Sequence, residues 1–148
     1  WVQANLNLLK ASYSKAKYFS EIYPKIEAIY HSDHTRMIDL NLAIINLALD
    51  YFEIKVNMSY ASEFVIETSR SQRLVDLVVS VGGDAYLTGL GSKDYLDEQL
   101  FSSAGISVMW QEFEHPTYTQ LNGDFEPMLS CLDVLFNCGR ESAAILRS

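Results

Sequence analysis

The chain has 148 residues, 49% of them hydrophobic and 20% charged, a composition that folds into a globular domain with a real core. Its 19 acidic and 11 basic side chains give a formal net charge of −8, which argues against nucleic acid and against an anionic membrane surface, since both need clustered Lys and Arg. No apolar run is long enough to cross a bilayer; the longest, residues 40–52, is broken by Asn41, Asn46 and Asp50.

In chain order, residues 13–31 read as helical, with Tyr18, Phe19, Ile22, Tyr23, Ile26 and Ile29 on helical spacing. Pro24 should divide or kink that segment, or begin a second helix there. Ser32 or Asp33 can cap the next helix, over about residues 35–52, which is apolar around much of its circumference. Such a helix is expected to pack on more than one side, and Asn41 and Asn46 then need hydrogen-bond partners. Residues 54–60 alternate apolar and polar and read as a strand, and 61–69 as a loop or short helix. An amphipathic helix over 70–81 stops at Gly82-Gly83. A second strand follows at 85–88, a short helix at 94–104, and a third strand at 106–113. Residues 115–128 are irregular, and a last helix at 129–138 ends on Gly139.

Strands and helices alternating in this way predict an α/β fold: a Rossmann-like, mostly parallel sheet flanked by helices, behind a helical N-terminal part. No repeat or linker divides the chain, so one domain over residues 1–148 is expected. The chain starts at Trp1 rather than Met and reads as a piece of a longer protein. No charged-then-apolar leader points to secretion. Cys131 and Cys138, on one helix, would lie about 10 Å apart along its axis, beyond disulfide reach. They read as reduced, buried thiols of a cytoplasmic protein.

Three segments could carry chemistry. Gly89-Leu90-Gly91-Ser92-Lys93 lies at a strand exit, where two glycines let a backbone approach a ligand and a following helix start offers N–H groups to an anion. It matches neither the dinucleotide fingerprint, which wants glycine where Asp94 stands, nor the Walker loop, because Lys93 does not follow a glycine directly. A plain turn and a ligand turn both remain open. His115-Pro116-Thr117-Tyr118-Thr119-Gln120 sets histidine, tyrosine and glutamine in one irregular segment, which suits ligand contact or proton transfer as well as a solvated loop. On the last helix, Ser130 reads as a cap, while Asp133 and Asn137, four apart on one face, are polar residues in an apolar helix. Metal-ligand spacing is absent: His31, Asp33 and His34 stand at a helix boundary, and neither Cys-x-x-Cys nor His-Glu-x-x-His occurs. No motif names a cofactor.

Several blocks, in order, resemble the WbqC-like protein family. They are Arg73-Leu74, Tyr86-Leu87-Thr88-Gly89, Gly91-Ser92-Lys93-Asp94-Tyr95-Leu96, Phe101, Gly105-Ile106, His115-Pro116-x-Tyr118-x-Gln120, Phe125, and Leu129-Ser130 through Asp133 to Phe136-Asn137-x-Gly139. Upstream, Tyr13-Ser14-Lys15-Ala16-Lys17-Tyr18-Phe19 and Leu40-Asn41 are also similar. Lys17 and Thr119 stand where the family pattern has proline, changes expected to touch loop stiffness more than chemistry. The family's opening His-Gln-Pro segment has no counterpart here, so the chain is expected to lack that N-terminal part.

The resemblance implies a role in surface-polysaccharide (O-antigen type) biosynthesis, as a transferase acting on an activated sugar or an amino-acyl or acyl donor. The alternative is a non-catalytic nucleotide- or sugar-binding module in a biosynthetic complex. The implied partner is a small molecule such as a nucleotide sugar. The implied site holds His115 and Asp94 as candidate catalytic bases. Gly89, Gly91, Lys93, Tyr95, Tyr118, Gln120, Asp133 and Asn137 are its candidate substrate contacts.

Overall fold

The computed structural model describes residues 1–148. Its elements are α1 Val2–Tyr13, α2 Phe19–His31, α3 Met37–Tyr51, α4 Arg70–Ser80, β1 Ala85–Gly89, α5 Glu98–Ser103, β2 Ser107–Gln111, α6 Cys131–Cys138 and α7 Ser142–Ile145. Short 3₁₀ turns occupy Ala61–Glu63, Leu90–Ser92 and Gly139–Glu141. Helices together with a parallel strand pair make this an α/β fold, as expected. By its contacts the chain divides into two compact units, one of residues 1–56 and 115–148, the other of residues 57–114.

The first unit is helical. Leu6 of α1, Ile22, Tyr23 and Ile26 of α2, Ala48 and Tyr51 of α3, and Leu135 and Phe136 of α6 form its core. Full burial of a Leu, Ile or Phe side chain stabilises by about 1.5–3 kcal/mol, so these residues decide whether the unit folds. Helix α1 was not foreseen from its sequence. The break between the first two helices falls at residues 14–18 and not at Pro24, which sits inside α2. Pro24 removes one helical hydrogen bond, and the burial of Ile22, Tyr23 and Ile26 around it outweighs that loss. Asn41 and Asn46 of α3 are exposed and need no buried partner, and Met37, Ile38 and Ile45 are exposed with them. The C-terminal stretch closes the end of α3. Arg140 pairs with Asp50 (2.9 Å) and also donates to its carbonyl, and Arg147 donates to the carbonyl of Phe52 (2.9 Å). Both cysteines are free; Cys138 is buried, but Cys131, at the first turn of α6, is exposed.

The second unit holds the sheet. Strands β1 and β2 are parallel and in register from Ala85 opposite Ser107 to Gly89 opposite Gln111. One sheet face, with Tyr86 and Val108, packs on Val75 of α4, Phe101 of α5 and Ile106. Arg73 of α4 donates to the Ile66 carbonyl (2.9 Å) and Asp76 bonds to Thr68, which fastens the preceding segment onto that helix. Residues 54–60 join no sheet, so the first of the three expected strands is not formed. The helix expected over 94–104 is shorter, because Asp97 caps it by accepting from the Gln99 N–H (3.1 Å) and residues 93–96 form a turn. No helix is long and apolar enough to cross a membrane.

Candidate functional site

The buried carboxylate of Asp133 organises the polar residues of the first unit. Ser130 caps α6, its hydroxyl accepting from the Leu132 N–H (3.3 Å), which places Asp133 in the first turn with only 4% of its surface exposed. A carboxylate there gains from the positive end of the helix dipole. The Tyr118 phenol donates to Asp133 Oδ2 (2.9 Å), and Gln120 Nε2 donates to the same oxygen (3.1 Å). Gln120 is held from three sides, since its Nε2 also donates to the Glu126 carbonyl (2.9 Å) and its Oε1 accepts from the Glu126 N–H (2.7 Å). Asn137 Nδ2 donates one turn back to the Asp133 carbonyl (2.8 Å).

Two phenols beside this carboxylate are kept protonated. Burial pushes Tyr13 up to about 12, and the charge of Asp133 with a hydrogen bond to it adds to the shift. Burial likewise pushes Tyr118 up to about 12; the bond to Asp133 adds to this while the bond from Gln120 opposes it. Both therefore act as donors at neutral pH. Burial, followed by the charges of Glu141 and Asp133, also raises the Cys138 thiol and disfavours a thiolate.

Tyr118 also joins an aromatic cluster with His115 and Phe125, with ring centroids 5.3 Å (Tyr118 to Phe125) and 5.5 Å (His115 to Phe125) apart. His115 Nδ1 lies 3.0 Å from the Pro116 carbonyl. A carbonyl oxygen can only accept, so this bond forms in the tautomer that carries its proton on Nδ1.

An open cleft of about 670 Å³ runs past this network, lined by Lys15, Lys17, Tyr118, Gln120, Asn137 and Glu141 among others. A smaller cavity of about 270 Å³ reaches Tyr13, Gln120, Glu126 and Asp133. Gln120 borders both, and His115 lines neither. Lys17 lies 3.8 Å from Glu141 and 4.8 Å over the Tyr18 ring. Lys17 and Thr119, where the family pattern has proline, both line the larger cleft. Lys15, which also lines the larger cleft, was not among the candidate site residues, and no motif in the sequence marks it.

The sequence-derived site residues fall into two groups. Tyr118, Gln120, Asp133 and Asn137 converge with His115 in the first unit. Gly89, Gly91, Lys93, Asp94 and Tyr95 lie together after β1 in the second unit, on the surface. That turn is closed by its own side chains: Ser92 Oγ bonds to the Gly89 carbonyl (2.9 Å) and to Thr88 Oγ1 (2.7 Å). A Cβ at Gly89 or Gly91 would meet nothing within 4 Å, so packing inside the chain does not demand glycine at either position. The helix beyond offers no bare N-terminus, because the Asp97 carboxylate already occupies it.

A family model matches residues 1–145. The chain belongs to the WbqC-like protein family. Among curated proteins it is similar to Uncharacterized protein Rv1507c of Mycobacterium tuberculosis, with 32% identity over 149 residues. That match covers 99% of this chain but 64% of the mycobacterial protein, so this WbqC-like chain spans less than two thirds of its relative's length. No solved structure matches it.

Proposed function

We propose that this WbqC-like protein is a transferase of surface-polysaccharide biosynthesis, and that the cleft beside Asp133 receives an activated sugar or acyl donor. The buried Asp133 carboxylate carries this reading, because it holds Tyr118 and Gln120, which line an open cleft together with Lys15 and Lys17, while Asp133 itself borders the smaller cavity. A buried carboxylate is tolerated only when it is hydrogen-bonded, and the bonds that satisfy Asp133 also fix the positions of Tyr118 and Gln120. The two lysines suit an anionic donor in a chain whose net charge would otherwise repel one.

For a sugar diphosphate donor, the acceptor oxygen bonds to the anomeric carbon, and the bond from that carbon to the diphosphate oxygen breaks. The diphosphate leaves with the electron pair, and the acceptor's proton passes to His115, which lines neither cavity but lies next to Tyr118 at the cleft's edge, ring centroids 6.2 Å apart, so that a water in the cleft would carry the proton across. Asp94, the other candidate base, belongs to the second unit and does not line this cleft, so its variant is tested beside that of His115. The test is turnover of nucleotide-sugar and acyl donors by the protein and by its His115→Ala, Asp94→Asn and Asp133→Asn variants. A general base contributes about 10²–10⁴-fold, so a loss of that size in His115→Ala or Asp94→Asn with the fold intact is expected. Unchanged turnover in both sinks the assignment of bases.

The second reading is a binding module without chemistry. The hydrogen bonds that already occupy Asp133 Oδ2 favour it. It expects a donor to raise the melting temperature with no turnover for any donor tried.

A further inference from the structure

We propose that the uncovered face and outer edge of the β1–β2 sheet dock a β-strand from polypeptide outside these 148 residues. Its counterpart is the part of the mycobacterial relative that lies beyond the match.

Both strands alternate exposed and half-buried residues, with Tyr86 and Val108 on the packed side. On the other side Leu87 and Met109 stand directly opposite each other in the ladder, 61% and 54% exposed. The same face carries Ala85, Gly89, Ser107 and Gln111 around that pair, and parallel sheets are found with both faces covered and rarely stop at two strands, so this sheet has an apolar centre and a row of edge backbone groups open to a further strand. Residues 54–60 make a second, separate observation. They carry the alternation of a strand, yet Ile54, Val56, Met58 and Tyr60 are 36–53% exposed and pair with neither β1 nor β2. A strand-like segment and a strand pair, each lacking a neighbour, call for the same missing partner.

The choice of occupant rests on length and charge. The match leaves about a third of the relative outside it, ample for a strand with a covering helix. A second copy of this chain would bring another formal charge of −8 to the contact, which works against self-association. Adding a strand to an open edge draws its affinity from main-chain hydrogen bonds and its selectivity from alternate side chains, here Leu87 and Met109.

The remaining third of the mycobacterial protein, made as a separate labelled polypeptide, is titrated with the 148-residue chain and followed by fluorescence anisotropy and amide exchange. The expected result is a one-to-one complex that protects amides of residues 85–89. Leu87→Asp and Met109→Asp should each weaken it at least tenfold, while Val65→Asp, at a 97% exposed position, leaves it unchanged. Circular dichroism shows that each variant keeps its fold. Absence of binding, binding indifferent to both sheet variants, or a homodimer formed through this face overturns the proposal.

Discussion

Gly139 combines two demands that no other residue type meets. Its φ is +56°, and a Cβ would lie 2.6 Å from the Tyr18 ring, whose own backbone N–H donates to the Phe136 carbonyl (3.0 Å). The 14–18 turn can reach the end of α6 only because this position has no side chain. Left-handed strain and overpacking each cost about 1–3 kcal/mol, so Gly139→Ala should destabilise the protein by about 3 kcal/mol in urea unfolding. Tyr13 and Tyr118 give a second test. Their folded values of about 12 lie above the usual 10, so both phenols stabilise the fold fully below about pH 10. That contribution is lost as pH rises from 10 through 12. Ultraviolet titration should show Tyr13 and Tyr118 among the late-ionising tyrosines, together with Tyr23 and Tyr51, which burial also raises. Asp133→Asn should bring Tyr13 and Tyr118 down without returning them to 10, because burial is the larger cause.

Helix ends and strand partners separate what could be read in the residues from what could not. The stop after α4, the Ser130 cap and the Gly139 end of α6 depend on contacts a few residues long, and local sequence carries them. The start of α5 is equally local, but it falls at the Asp97 cap, three residues beyond the start at residue 94 that the sequence predicts. Asp97→Ala should cost about 1 kcal/mol, the ordinary value of such a cap, and should be read as a lower unfolding midpoint. Residues 54–60 illustrate the opposite limit. Alternation states which side chains would share a face, but only a neighbouring backbone makes a strand of them. The convergence of Tyr118, Gln120 and Asp133 could be anticipated as polar residues in an apolar setting, but not as one network. Its bonds join residues 13 and 15 apart through an irregular segment whose path has no period.

Across the whole molecule the two units differ in depth. Ten buried residues form the core of the first, and three form that of the second, so the second should open more readily. Amide exchange should be slower in α2 and α6 than in α4 and β1. Equal protection in the two units would contradict this reading of their cores. The first unit is also discontinuous, its halves separated by the whole of residues 57–114. During synthesis Leu6, Ile22 and Ile26 leave the ribosome well before Leu135 and Phe136, the residues that bury them. At about 5–20 residues per second, those helices wait several seconds with their apolar stripes bare. A nascent chain of this kind is a natural client for a holding chaperone, and its yield in a cell should depend on translation speed as much as on final stability.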